Sequence, residues 1–192
     1  MKTALIIVDM QYDCCDGGPM AHNNSLNIIP IINRIRDRYD IVIFIKKQYQ
    51  FNHSSFKQFG GKNPKHCIEN TYGAELHKDM IIKEEDIIIC RGTLQKYDSN
   101  SAFYDADTIE NDTRLKYILR INNIRELYFC GNGIDNCIFS SIIDAVNNRF
   151  KCTLITDALG YIDKEKAEKS LKYLEGLGIV ICDSTVFSKG DD

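Results

Sequence analysis

The sequence predicts a doubly wound α/β fold, a parallel sheet with helices on both faces. Six short apolar, β-branched runs recur along the 192 residues. Helical patterns lie between most of them. The runs are apolar at successive positions instead of alternating, which suits strands buried on both faces. Strands that alternate with helices give this layered architecture.

Residues 5–9 form the first run and close it on Asp9. Over 24–38, Ile28, Ile31, Ile32 and Ile35 fall on one helical face, and Pro30 sits early, where a helix tolerates it best. Runs at 41–45 and 87–90 follow. Between them, residues 46–85 hold Tyr, His, Gly-Gly and Asn-Pro with little periodicity. A connection that long without regular structure is uncommon unless it is functional; the plain alternative is a decorated surface insertion. A helical pattern at 111–122, a run at 127–130, a helix at 136–149, a run at 153–156, a helix at 164–176 and a run at 179–182 complete the series. No repeat, linker or low-complexity tail intervenes, so 1–192 reads as a single domain.

Composition excludes several classes. A chain 44% hydrophobic and 27% charged, with net charge −3, has no electrostatic footprint for nucleic acid and no polybasic patch for a membrane. No stretch approaches the roughly 20 apolar residues of a membrane span, and the run at 4–8 is too short for a signal-peptide core. A cytoplasmic, reducing setting is expected, with the eight cysteines mostly free thiols. Cys90, Cys130, Cys152 and Cys182 read as small core residues, Cys14 and Cys15 as structural, and His22 and His77 as surface residues.

Ligands of doubly wound sheets bind beyond the carboxyl ends of the strands. Asp9 ends the first run, Lys46 and Lys47 the second, Arg91 the third. The fourth leads into Cys130-Gly131-Asn132-Gly133-Ile134-Asp135-Asn136-Cys137, where a helix begins. A carboxylate after a buried strand needs a partner, although position alone also allows a turn or cap. Gly131 and Gly133 permit close backbone approach or unusual torsions. A thiol in the first turn of a helix faces the positive end of the dipole, which lowers its pKa, and first-turn N–H groups can hold an oxyanion. From these residues alone, a reactive Cys137 and a buried inert one stay equally open.

Further motifs join these. Ala4-Leu5-Ile6-Ile7-Val8-Asp9-Met10-Gln11-Tyr12-Asp13 is followed by Gly17-Gly18. Pro64-Lys65-His66-Cys67 comes with Thr71 and Gly73-Ala74-Glu75-Leu76. Arg91-Gly92-Thr93 precedes Asp98-Ser99-Asn100-Ser101-Ala102-Phe103. In order and spacing, over nearly the whole chain, the set resembles the isochorismatase-like cysteine hydrolases, in particular their nicotinamidase/pyrazinamidase branch. The resemblance implies a Rossmann-like three-layer α/β/α fold with a mostly parallel six-stranded sheet, and a catalytic triad of Asp9, Arg91 and Cys137. It implies hydrolysis of a small-molecule amide, nicotinamide to nicotinate plus ammonia, through a Cys137 thioester, a step of NAD salvage. The N–H groups of Gly133 and Cys137 would form the oxyanion hole, a cis peptide would fall at Asn132–Gly133, and the chain could form a homo-oligomer.

Three departures qualify the match. Arg91 stands where the family has lysine; arginine supplies charge but does not give up a proton. The family holds a divalent metal, zinc here the natural candidate, through an Asp-x-His pair after the second strand and the histidine of Pro-x-His-Cys. Those first two positions hold Lys47 and Tyr49, leaving His66 and a further histidine, His53. Two histidines without a carboxylate make a weak site, so Lys47 is expected to take the cation's place and orient substrate. The usual ring-stacking aromatics are replaced by Cys14 and Asn63, which leaves Tyr12 and Tyr49 as expected substrate walls. Two alternatives stay open: a hydrolase of another small substrate, and a degenerate member that binds a ligand or partner without turnover.

Overall fold

The computed structural model describes residues 1–106 and 111–187. Six strands, β1 (Lys2–Val8), β2 (Ile41–Lys47), β3 (Ile87–Arg91), β4 (Ile124–Asn132), β5 (Lys151–Gly160) and β6 (Val180–Cys182), form one sheet in the order β3-β2-β1-β4-β5-β6. Every pairing is parallel. Four helices, α1 (Ile28–Ile35), α2 (Leu115–Ile121), α3 (Cys137–Asn147) and α4 (Lys164–Gly176), stand where the periodicity places them. Three are shorter than their patterns, α3 by a few end residues, and left-handed Asn24 (φ 72°) and Arg114 (φ 70°) lie ahead of the starts of α1 and α2.

The uninterrupted apolar run of β1 has its explanation in two cores. Ala4, Ile6 and Val8 face α2, α3 and α4, packing with Leu115, Leu119, Ile138, Ile142, Ala167 and Leu174. Leu5 and Ile7 face the other way, onto Ile28, Ile29, Ile32 and Ile35 of α1. Successive strand residues alternate between faces, so a strand covered on both sides must be apolar throughout. Each fully buried aliphatic side chain contributes about 1.5–3 kcal/mol.

The long connection between β2 and β3 is not surface decoration. Two short 3-10 turns, Lys57–Phe59 and Tyr72–Ala74, punctuate it. Tyr49, Phe56, Cys67 and Ala74 from it pack with Cys14 into a third core. Of the strand cysteines, Cys130 and Cys152 are buried and Cys90 and Cys182 half-buried, and all eight cysteines are free thiols. Among the described residues, no helix is long and apolar enough to cross a membrane.

Strand order reverses at β1. The chain moves outward through β2 and β3, then returns to place β4 on the other side of β1. Beyond the carboxyl ends of β1 and β4 lies the crevice where such sheets bind ligands. Val8 pairs with Ile45 and Gly131, and Lys47 pairs with Arg91. That register brings Asp9, Lys47, Arg91 and the loop to Cys137 to one rim.

Candidate active site

Asp9 is fully buried just past β1, with its N–H still donated to Ile45 O at 2.9 Å. Its φ of 52° lies in the left-handed region that costs a non-glycine residue about 1–3 kcal/mol. Arg91, also fully buried, ends β3. One of its nitrogens, Nη2, donates both to Asp9 Oδ2 at 2.7 Å and to Cys137 Sγ at 3.0 Å, and Nη1 donates to the carbonyl of Ser99. Lys47 Nζ lies 3.2 Å from the same Asp9 Oδ2. The other carboxylate oxygen, Oδ1, is buried and has no hydrogen-bond partner among the described residues. Asp9, Arg91 and Cys137, far apart in sequence, thus form one cluster around a single guanidinium.

Neighbouring side chains fix this cluster through the backbone. Gln11 grips Lys47 at both ends of its main chain: Lys47 N–H donates to Gln11 Oε1 at 2.7 Å, and Gln11 Nε2 donates to Lys47 O at 2.8 Å. Asn132 Nδ2 donates to the carbonyls of Asp9 and Cys14, both at 3.2 Å. Gly131, with φ of 106°, lies so close to β1 that a Cβ would sit 2.3 Å from Val8 O. Only glycine fits there.

The charges are set by burial and pairing together. Burial alone would raise the Asp9 pKa, but Arg91 and then Lys47 hold it below the usual 3.8, so the carboxylate is ionised. Burial pushes the Cys137 thiol up to about 11 despite Arg91 and Lys47, and Asp9 adds to the rise. The lowered thiol pKa expected from the helix terminus is therefore corrected: in the resting protein desolvation outweighs the Arg91 and Lys47 charges, and Cys137 is a neutral thiol. Burial opposes the charge on Lys47, but the Asp9 carboxylate holds it protonated, well above 10.5.

The oxyanion-hole expectation is corrected in part. Gly133 N–H is already donated to Gly160 O at 2.9 Å. Its carbonyl accepts from Asn136 N–H and Ile138 N–H at 2.9 and 2.8 Å. Gly133, at φ 93°, shapes the turn into α3 and leaves room beside Cys137, whose Cβ would be 3.2 Å from an added Cβ. Cys137 opens α3, where first-turn N–H groups have no partner within the helix. The described residues contain no cis peptide, so Asn132–Gly133 is trans, contrary to expectation.

His53 and His66, the candidate metal ligands, are spoken for or lack partners to complete a donor set. Both His53 nitrogens are engaged, Nδ1 with Ser55 Oγ at 2.8 Å and Nε2 with Tyr97 O at 2.9 Å. His66 Nδ1 lies 2.9 Å from Pro64 O, and burial pushes its pKa down to about 3. Tyr49 donates its hydroxyl to Asp98 Oδ1 at 2.9 Å. No group of three or more His, Cys, Asp or Glu that could hold a metal occurs among the described residues. These residues do not fit a divalent ion.

Of the expected substrate walls, Tyr49 is buried against His53, Phe56 and His66, within electrostatic reach of Lys47, Arg91 and Cys137. Tyr12 is elsewhere: its ring stacks on exposed Tyr72 at 4.0 Å and its hydroxyl accepts from Lys78 N–H. Its contacts are those of a loop clasp, which corrects the assignment. His22 is buried with Nδ1 3.1 Å from Cys14 O, and His77 is half-buried against Tyr12, so neither is a surface residue. Gln11, Ser99 and Asn132 escaped the sequence reading. Gln11 and Asn132, polar residues beside apolar strand ends, carried the one signal that could have found them.

Comparison with known proteins finds relatives over most of the chain. The isochorismatase domain model matches residues 3–186. A nicotinamidase of Acinetobacter baylyi is 31% identical over 176 residues, 83% of this chain and 82% of that one. Among solved structures, an Acinetobacter baumanii nicotinamidase/pyrazinamidase superposes with TM-score 0.90 at 32% identity, covering 96% of this chain and 97% of the other. A pyrazinamidase of Pyrococcus horikoshii in complex with zinc gives 0.87 at 30% identity, over 95% and 99%.

Proposed function

The chain belongs to the isochorismatase domain family, and from that premise we propose that it is a cysteine amidohydrolase of a small amide, with nicotinamide the first candidate. The observation that carries the reading is Arg91 Nη2, which touches Asp9 Oδ2 and Cys137 Sγ at once while Asp9 Oδ1 has no hydrogen-bond partner among the described residues. Nicotinamidase and pyrazinamidase are the activities named for the relatives above.

In this reading Cys137 Sγ attacks the amide carbon and its proton passes to Asp9. The carboxyl titrates below 3.8 and the thiol near 11, so transfer ahead of attack is strongly uphill. The proton moves as the carbon–sulfur bond forms, which is general-base catalysis. Arg91 keeps its protons and stabilises the charge that grows on sulfur. The Cys137 N–H, at the start of α3, faces the developing oxyanion. Asp9 returns the proton to the leaving nitrogen, ammonia departs, and a thioester remains. Water then attacks the thioester with Asp9 as base, releasing the acid and restoring the thiol. With nicotinamide this yields nicotinate and ammonia, a step of NAD salvage.

Ammonia release from nicotinamide tests the reading. Cys137→Ala is expected to lower kcat/KM by on the order of 10³-fold or more, with its unfolding midpoint near that of the native chain. Equal rates in the two proteins, or no turnover of any small amide, contradict it.

A further inference from the structure

Hydrolysis as described uses Asp9, Arg91 and Cys137, and leaves the second buried cation unexplained. Arg91 by itself pairs with Asp9 at 2.7 Å. Lys47 meets the same oxygen at 3.2 Å, with only 6% of its side chain exposed. An ammonium carries three donors, and among the described residues Asp9 is the single acceptor within ion-pair distance of this one. Burying a cation costs several kcal/mol unless further hydrogen bonds satisfy it. A lysine held by Gln11 at both its N–H and its carbonyl is therefore fixed in place with donors to spare.

We infer that the Lys47 ammonium does in this chain the work of a divalent cation: its spare N–H donors hold an acceptor atom of the amide substrate, and turnover needs no metal ion. The inference rests on the amidohydrolase reading and narrows its substrate class to small amides that carry an unprotonated acceptor, such as a ring nitrogen, away from the scissile bond. Three observations support it. The residues around Lys47 do not fit a metal: His53 has both nitrogens engaged, and Tyr49 gives its hydroxyl to Asp98. A fixed ammonium beside them would repel a divalent ion. Lys47 also lies within electrostatic reach of both Asp9 and Cys137, close enough to position a substrate that reacts there.

The experiment uses the full chain and reads metal binding and turnover separately. Zinc chloride titrated into the protein should show no stoichiometric binding, and chelator treatment should change ammonia release from nicotinamide by less than about twofold. Lys47→Met should lower kcat/KM for nicotinamide by about 10–100-fold, and Lys47→Arg should recover most of it. Thermal unfolding reports whether each variant folds. Benzamide, which lacks the ring nitrogen, should be a poorer substrate than nicotinamide for the native chain, and that preference should shrink in Lys47→Met. One zinc ion bound per chain, activity lost to chelator and restored by zinc, or an unchanged Lys47→Met would each overturn the inference. Failure to hydrolyse any amide would sink the amidohydrolase reading instead, with the zinc titration still deciding whether a metal belongs at Lys47.

Discussion

At the Cys137 sulfur two influences of opposite sign meet: burial favours the neutral thiol, and the Arg91 and Lys47 charges favour the thiolate. Burial prevails at rest, and in the proposed reaction the cations act once sulfur begins to bond to carbon. The reactivity of the free protein should reflect this. With a pKa near 11, the thiolate is about one part in 10⁴ at pH 7. Alkylation of Cys137 by iodoacetamide, followed by peptide mass mapping, should be slow at pH 7 and rise about tenfold per pH unit up to pH 9. A rate that levels off below pH 8 would mean a preformed thiolate–guanidinium pair. At this scale Asp9, Arg91 and Cys137 were legible because each closes an apolar run or opens a helix. The sign of the thiol shift was not, because desolvation is a property of the packed site. Nor were Gln11 and Ser99, which act through backbone groups that no motif displays.

Among the elements, the contact of β4 with β1 governs the geometry of the site. Gly131 pairs with Val8 in the ladder and lies against its backbone, and Asn132 then holds the carbonyl of Asp9. A methyl group at 131 meets backbone, which cannot rotate aside, and is strained at φ 106° as well. Gly131→Ala should destabilise the fold by about 3 kcal/mol or more and cut activity even where the protein still folds. Urea unfolding and ammonia release check both; a loss under about 0.5 kcal/mol, the range of an ordinary surface change, would show that β4 can move. Strands and helices were legible from their periodicity. The connection between β2 and β3 was not, since its order comes from a small core of Tyr49, Phe56, Cys67 and Ala74 around Cys14, which has no period to read.

Over the whole molecule, the rim between the strand ends is more stable with His22 and His66 neutral. Burial holds His66 at about 3 and keeps His22 below its usual 6.5. In the unfolded chain both protonate near 6.5. As pH falls from 6.5 the unfolded state therefore binds more protons and folding weakens, by on the order of 3 kcal/mol from His66 by pH 4. The ion-paired Asp9, whose pKa is depressed, adds its own loss only as pH falls below about 4. Urea unfolding between pH 4 and 8 should show stability falling below pH 6.5, with a shallower fall in His66→Gln; a flat curve would contradict this. The parallel six-stranded sheet was legible from the alternation of elements, and its strand order was not. The meeting of Lys47 and Arg91 on one carboxylate, with Cys137 on the same guanidinium, required the strand register.

In the proposed reaction Cys137 is the nucleophile, and an aldehyde analogue of the amide tests this most directly. Nicotinaldehyde labelled with ¹³C at its carbonyl should form a thiohemiacetal with Cys137, seen by NMR as a tetrahedral carbon bonded to sulfur. The account predicts that signal in the native chain and its loss in Cys137→Ala. A chain that hydrolyses nicotinamide yet shows only free and hydrated aldehyde, or gives the same signal in both proteins, would contradict it.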